Sequence, residues 1–106
     1  MTQRALHVGT LPESPLAANA RFFAQHLEDA RALISDQQVQ ALAIVMPVAG
    51  RDHDDWRRAL ARDLARDFSP IRVNVVGAEQ SERCEAMLTY LMNAPGVTGQ
   101  YLAAHD

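Results

Sequence analysis

Lysine is absent from this chain, whose ten basic residues are all arginines. A Schiff-base amine, a P-loop lysine on nucleotide phosphates and a lysine working beside a catalytic tyrosine are therefore excluded. Cysteine is nearly absent as well. Cys84 alone forms neither an intramolecular disulfide nor a cysteine-rich zinc site. The five glycines fall into no GxGxxG or GxxxGxG run, which removes the turn that brings a pyrophosphate to a helix start. No segment reaches the roughly 18 consecutive apolar residues of a membrane span. The start, Met1-Thr2-Gln3-Arg4-Ala5-Leu6-His7, has no apolar core of the signal-peptide type, so a cytoplasmic location without membrane contact is expected. Excess positive charge is also missing. A net charge of -3 gives a phosphate backbone nothing to bind, and nucleic acid is not expected as a partner.

What is present suits one folded unit. The 106 residues are 48% hydrophobic and 22% charged, inside the globular range, and the length predicts a single domain over 1–106. Arg4 to Gly9 reads as a short strand, closed by a loop through Pro12 and Glu13. Ser14-Pro15 opens a helix, since the serine hydroxyl caps a free amide and proline needs no N–H in the first turn. One long helix to about Ser35 is predicted, with Leu16, Ala20, Phe23, Leu27, Ala30 and Ile34 as its apolar stripe.

Ala41 to Met46 is apolar without alternation, as in a parallel strand buried on both faces. Asp52, Asp54 and Asp55 crowd the start of the next helix, where the dipole favours carboxylates. Trp56, Leu60, Leu64 and Phe68 mark its apolar face. Ile71 to Val76 predicts a third strand, Ser81 caps a helix to Met92, and Val97 to Ala103 predicts a fourth strand. The order βαβαβαβ implies a parallel sheet of about four strands with right-handed crossovers and helices on both faces, a three-layer α/β domain.

Two stretches carry a family likeness: Ala61 to Val76, containing Ile71-Arg72-Val73-Asn74, and Ala86 to Leu102, containing Val97-Thr98-Gly99-Gln100. In this order they resemble the carboxyl-terminal half of a short-chain dehydrogenase/reductase, and the likeness extends more weakly back to residue 15. The resemblance implies a minimal Rossmann-like fold, truncated relative to the family. In that family a tyrosine and a lysine precede the Ile-Arg-Val-Asn strand. Carried onto this chain, they fall near Gly50 and Asp54, and the catalytic serine falls at Pro47 to Ala49, where there is no hydroxyl. The proline and glycine that usually follow the strand are replaced by Gly77-Ala78-Glu79. The chain is thus expected to be a pseudoenzyme with no cofactor and no catalytic residue.

The resemblance also implies association. The family's two long helices pack against a second subunit, and the matching segments are Leu16 to Ile34 and Trp56 to Phe68; the last helix and strand, matched by Cys84 to Leu102, form another contact. Leu16, Phe23, Leu27, Trp56 and Leu60 are the expected interface residues, in a homo-oligomer or with a partner of the same family. The alternative is a small-molecule or nucleotide-binding module at the carboxyl ends of the strands, with His7, Gly9, Thr10 and Gly77 as candidates and Pro47 nearby. An unrelated enzyme on His7 or Cys84 is a third reading.

The remaining features have plain interpretations. Asp52-His53-Asp54-Asp55 is dense in metal-ligand types, but successive helical residues diverge by about 100° and no histidine stands four positions on, so no metal site is expected. Cys84 lacks a neighbouring base and reads as a buried structural thiol. Arg57, Arg58, Arg62 and Arg66 alternate with Asp54, Asp55, Asp63 and Asp67, which predicts a locally neutral, solvated or interface-rim face.

Overall fold

Val39 to Met46 buries every residue except Gln40, as an unalternating apolar strand must when both of its faces are covered. A computed structural model describes residues 2–104. Along the chain it places β1 (Thr2–His7), α1 (Pro15–Gln25), α2 (Leu27–Ile34), β2 (Val39–Met46), α3 (Asp54–Asp67), β3 (Arg72–Gly77), α4 (Glu82–Met92) and β4 (Tyr101–Ala103). A short 3-10 turn, Arg51–His53, leads into α3. All neighbouring strands pair in parallel, in the spatial order β1-β2-β3-β4. The minimal α/β architecture expected from the sequence is the one observed.

The strands separate two cores by the alternation of their side chains. Leu42, Ile44, Met46, Val73 and Val75 face Phe22, Ala30, Trp56, Leu60 and Leu64, so α1, α2 and α3 cover one side. Ala43, Val45 and Val76 face Cys84, Leu88 and Leu91 of α4 on the other.

That arrangement corrects the expectation of uniformly right-handed crossovers. Spatial order follows chain order, so three crossovers of one hand would put every helix on the same face and leave Ala43, Val45 and Val76 bare. The α4 crossover instead takes the opposite face, and therefore has the opposite hand to the other two.

The single long first helix is also corrected. It divides at His26, whose φ of -122° departs from helical geometry. The buried row is Ala18, Phe22 and Ala30, while Leu16 and Phe23 are 81% and 50% exposed. Adjacent phenylalanines permit either stripe, and the four-residue row with alanines at 18 and 30 brings the helices closer to the sheet. The first and second strands begin two residues before their expected starts, and the fourth is confined to Tyr101–Ala103.

Val97 to Gln100 is held by β3 side chains instead. Asn74, 3% exposed, donates from Nδ2 to Val97 O at 3.0 Å and accepts from Gln100 N at 3.0 Å. Arg72 donates to Leu91 O and Ala94 O at 3.0 and 2.9 Å. Two polar residues of the Ile-Arg-Val-Asn strand thereby fasten the return from α4 to β4.

Candidate functional site

The loops that follow β1, β2 and β3 gather at the carboxyl end of the sheet, where open α/β folds leave a crevice. His7, Gly9 and Thr10 come together there in a depression of about 370 Å³ that also includes Glu79 and Gln80. His7 is exposed, with Nδ1 3.3 Å from Gln80 Nε2. Gly77 does not join them. It is buried, and a Cβ on it would stand 2.5 Å from Tyr101 Oη and 3.2 Å from Arg57 Nη1. Gly77 is consequently a packing residue, and its place in the expected ligand group is corrected.

A second cleft, about 410 Å³, lies between the β1–α1 and β2–α3 loops. Leu11, Pro47 and Val48 contribute apolar wall, and Glu13 and Asp52 stand at it with exposed side chains. His53 and Arg57 contribute buried polar groups, being 5% and 1% exposed. The Trp56 indole donates to His53 Nδ1 at 2.9 Å, and His53 Nε2 lies 2.8 Å from Glu13 O. Since an indole N–H only donates, Nδ1 is the acceptor and the ring proton sits on Nε2, directed to the Glu13 carbonyl. Both ring nitrogens are thus occupied, which removes His53 from any metal set built on the neighbouring aspartates.

Arg57 departs from the solvated face expected for it. It was expected on the charged face of α3, yet its guanidinium lies inside the fold between Trp56 and Tyr101, 5.5 and 5.7 Å from their ring centroids. Nη1 donates to Pro47 O at 2.9 Å and to Tyr101 Oη at 3.2 Å. Nε is buried and has no hydrogen-bond partner. The signal was available in the spacing: Arg57 precedes Ala61 and Leu64 by four and seven positions on the buried face of α3. Arg58, Arg62 and Arg66 are exposed, and Arg58 pairs with Asp54 at 3.9 Å.

The positions near which the resemblance carries the family's catalytic residues lie at the turn from β2 into α3. Gly50 caps the 3-10 turn and Asp54 opens α3. Pro47 to Ala49 line the second cleft without a hydroxyl. Cys84 is buried on the inner face of α4, where desolvation, and behind it the Glu85 carboxylate, push the thiol above its ordinary pKa. That shift opposes thiolate formation.

The expected interface residues divide between surface and core. Leu16 and Phe23 are exposed and Leu27 is half-buried. Trp56 and Leu60 are 9% and 3% exposed, so most of their area is already packed inside the chain; as interface anchors they are corrected. Phe23, Leu27, Leu60 and Leu64 nonetheless line a groove between α1–α2 and α3. Among the described residues no helix is long and apolar enough to cross a membrane.

Comparison with known proteins bears on the whole domain. No curated protein and no solved structure matched the chain. The family model described as SDR-like, short chain dehydrogenase-like protein, matches residues 6–104. That span takes in the end of β1 and all of β2, β3 and β4, and the chain belongs to the short chain dehydrogenase-like family.

Proposed function

We propose that this domain is non-catalytic and acts by association, pairing with a second copy of itself through the groove between α1–α2 and α3. The observation that carries the reading is the exposure of Leu16 and Phe23, 81% and 50%, on one face of α1 beside that groove. They stand two helical turns apart, so a partner covers both at once. The rim favours a second copy over an unlike partner. Arg31 of α2, paired with Glu28, and Arg66 of α3 stand there with Asp63 and Asp67, a rim of both signs that a copy turned about a two-fold axis can meet with opposite charges.

The non-catalytic half of the reading rests on chemistry the chain does not carry. It contains no lysine, and the resemblance carries the family's tyrosine and lysine near Gly50 and Asp54 and its serine to around Pro47 to Ala49. A partner of the same family carrying a glycine-rich half is a hetero-oligomeric form of the same reading.

Light scattering on a sizing column across a dilution series tests it. The expected result is a dimer that dissociates on dilution, and that Leu16→Gln with Phe23→Gln converts to monomer while Tyr90→Ser, changing an exposed ring on α4, does not. A wild-type monomer at every concentration overturns self-association. Turnover that depends on a nicotinamide cofactor overturns the non-catalytic assignment.

A further inference from the structure

A guanidinium stays charged at every pH a protein meets, so burying one without a counter-ion is costly unless something else supplies the negative charge. Arg57 is such a group. It is 1% exposed, and among the described residues no carboxylate lies within 4.0 Å of it. The bonds to Pro47 O and Tyr101 Oη both leave from Nη1, and Nε is buried with no acceptor. The Trp56 and Tyr101 ring centroids lie 5.5 and 5.7 Å from the guanidinium carbon and attract the cation without carrying a formal negative charge. Folded chains rarely leave a strong donor in this condition, and an ion that completes its bonding is one standard reason.

Arg57 forms part of the wall of the cleft between the β1–α1 and β2–α3 loops. We propose that this cleft is a receptor for a small organic carboxylate, with Arg57 as the anion anchor and Leu11, Pro47 and Val48 against the apolar body of the ligand. An arginine edge presents two parallel donors that match the two oxygens of a carboxylate.

The charges at the cleft narrow the class of anion. Glu13 and Asp52 stand at it with exposed carboxylates, which repel phosphate, with up to two charges, more than a singly charged acid. His53 adds no further positive anchor, because Trp56 and Glu13 O engage both of its nitrogens. The cleft volume of about 410 Å³ fits a compact ligand. The larger depression of about 910 Å³ beside Glu79, Glu82 and Arg83 contains no buried polar group of this kind. The receptor is independent of the proposed association, since its lining shares no residue with the groove between α1–α2 and α3.

The experiment is a titration of the full chain followed through the Arg57 Nε–H resonance in nitrogen-15 correlation spectra. The probes are butyrate, its neutral isostere butyramide, and inorganic phosphate, at constant ionic strength. The expected result is a saturable shift of that resonance with butyrate, none with butyramide, and weaker binding of phosphate. Arg57→Met, with folding checked by circular dichroism, loses about tenfold or more of the butyrate affinity. Asp52→Asn changes an exposed side chain, keeps the anchor and tightens butyrate by about two- to fivefold. Equal shifts with butyrate and butyramide overturn the proposal, as does an Nε–H resonance that butyrate never moves. Tighter binding of phosphate than of butyrate overturns the carboxylate class.

Discussion

The Tyr101 hydroxyl stands 2.5 Å from where a Cβ on Gly77 would lie, closer than real Cβ contacts come. The same hydroxyl lies 3.2 Å from Arg57 Nη1, so the space left by Gly77 is taken up by the Arg57–Tyr101 hydrogen bond. Gly77 is one of the four residues expected at a ligand site, and its use is to leave room.

Gly77→Ala is therefore expected to destabilise the fold by about 1–3 kcal/mol through overpacking. Tyr101→Phe removes the hydroxyl and costs about 1 kcal/mol for the lost hydrogen bond. In the double variant the added methyl meets one atom fewer, so the two effects sum to more than the combined loss. A double-mutant cycle by urea denaturation reads this coupling, and strict additivity would mean that the contact between the two residues is not the source of the strain.

Asn74 makes the second link to β4. Replacing it with leucine leaves Val97 O and Gln100 N without their partners, at a cost of about 1–3 kcal/mol for each group that stays buried. The loss should be local as well as global. Hydrogen exchange is expected to rise first at Gly99, Gln100 and Tyr101, and unchanged exchange there would assign the fastening of this segment to Arg72 or to the backbone.

The βαβαβαβ order, the parallel sheet and both serine caps were legible in the chain because each rests on a local signal. Ser14 accepts from Ala17 N and Ser81 from Cys84 N, as their positions before helical runs imply. Other features depend on tertiary packing. Phe22 and Phe23 offer two nearly equivalent stripes, and only the sheet decides which of them enters the core. Arg57 falls on the apolar spacing of α3, but a charged side chain masks that signal locally, and the Pro47 carbonyl and Tyr101 hydroxyl that receive it come from other parts of the chain. The hand of the α4 crossover is set by the need to cover Ala43, Val45 and Val76, which no single segment records. The motif strand was recognisable as a motif, whereas the reason for its asparagine emerged only with the segment it holds.

Cys84 gives a dependence on pH. Its thiol is pushed up by burial and by Glu85, so the unfolded chain releases its proton first, near the ordinary thiol value of about 8.5. Below that pH both states keep the proton and the group contributes no slope. Above it the unfolded state is favoured, and stability falls as pH rises toward the folded value. Cys84→Ala should remove this part of the alkaline decline, read as the difference between the two urea midpoints across the range. In native protein the thiol should also react with a disulfide reagent only slowly, and rapid native labelling would contradict its burial.

The adjacent rings on α1 separate core from surface most directly. Phe22 is fully buried against the sheet, and Phe23 meets it edge-on with centroids 5.9 Å apart while remaining half exposed. Phe22→Ala is expected to cost about 3–5 kcal/mol, because it removes apolar contact and leaves a cavity beside close-packed neighbours. Phe23→Ala, measured dilute enough for the chain to be monomeric, should cost well under half of that, since the ring gives up partial burial and one edge contact. At higher concentration its midpoint should fall below the wild-type value, because the wild type gains stability from association and the variant gains less. Equal losses for the two substitutions in dilute protein would mean that Phe23 also packs inside the chain. The exposed face of α1 would then offer a partner little more than Leu16.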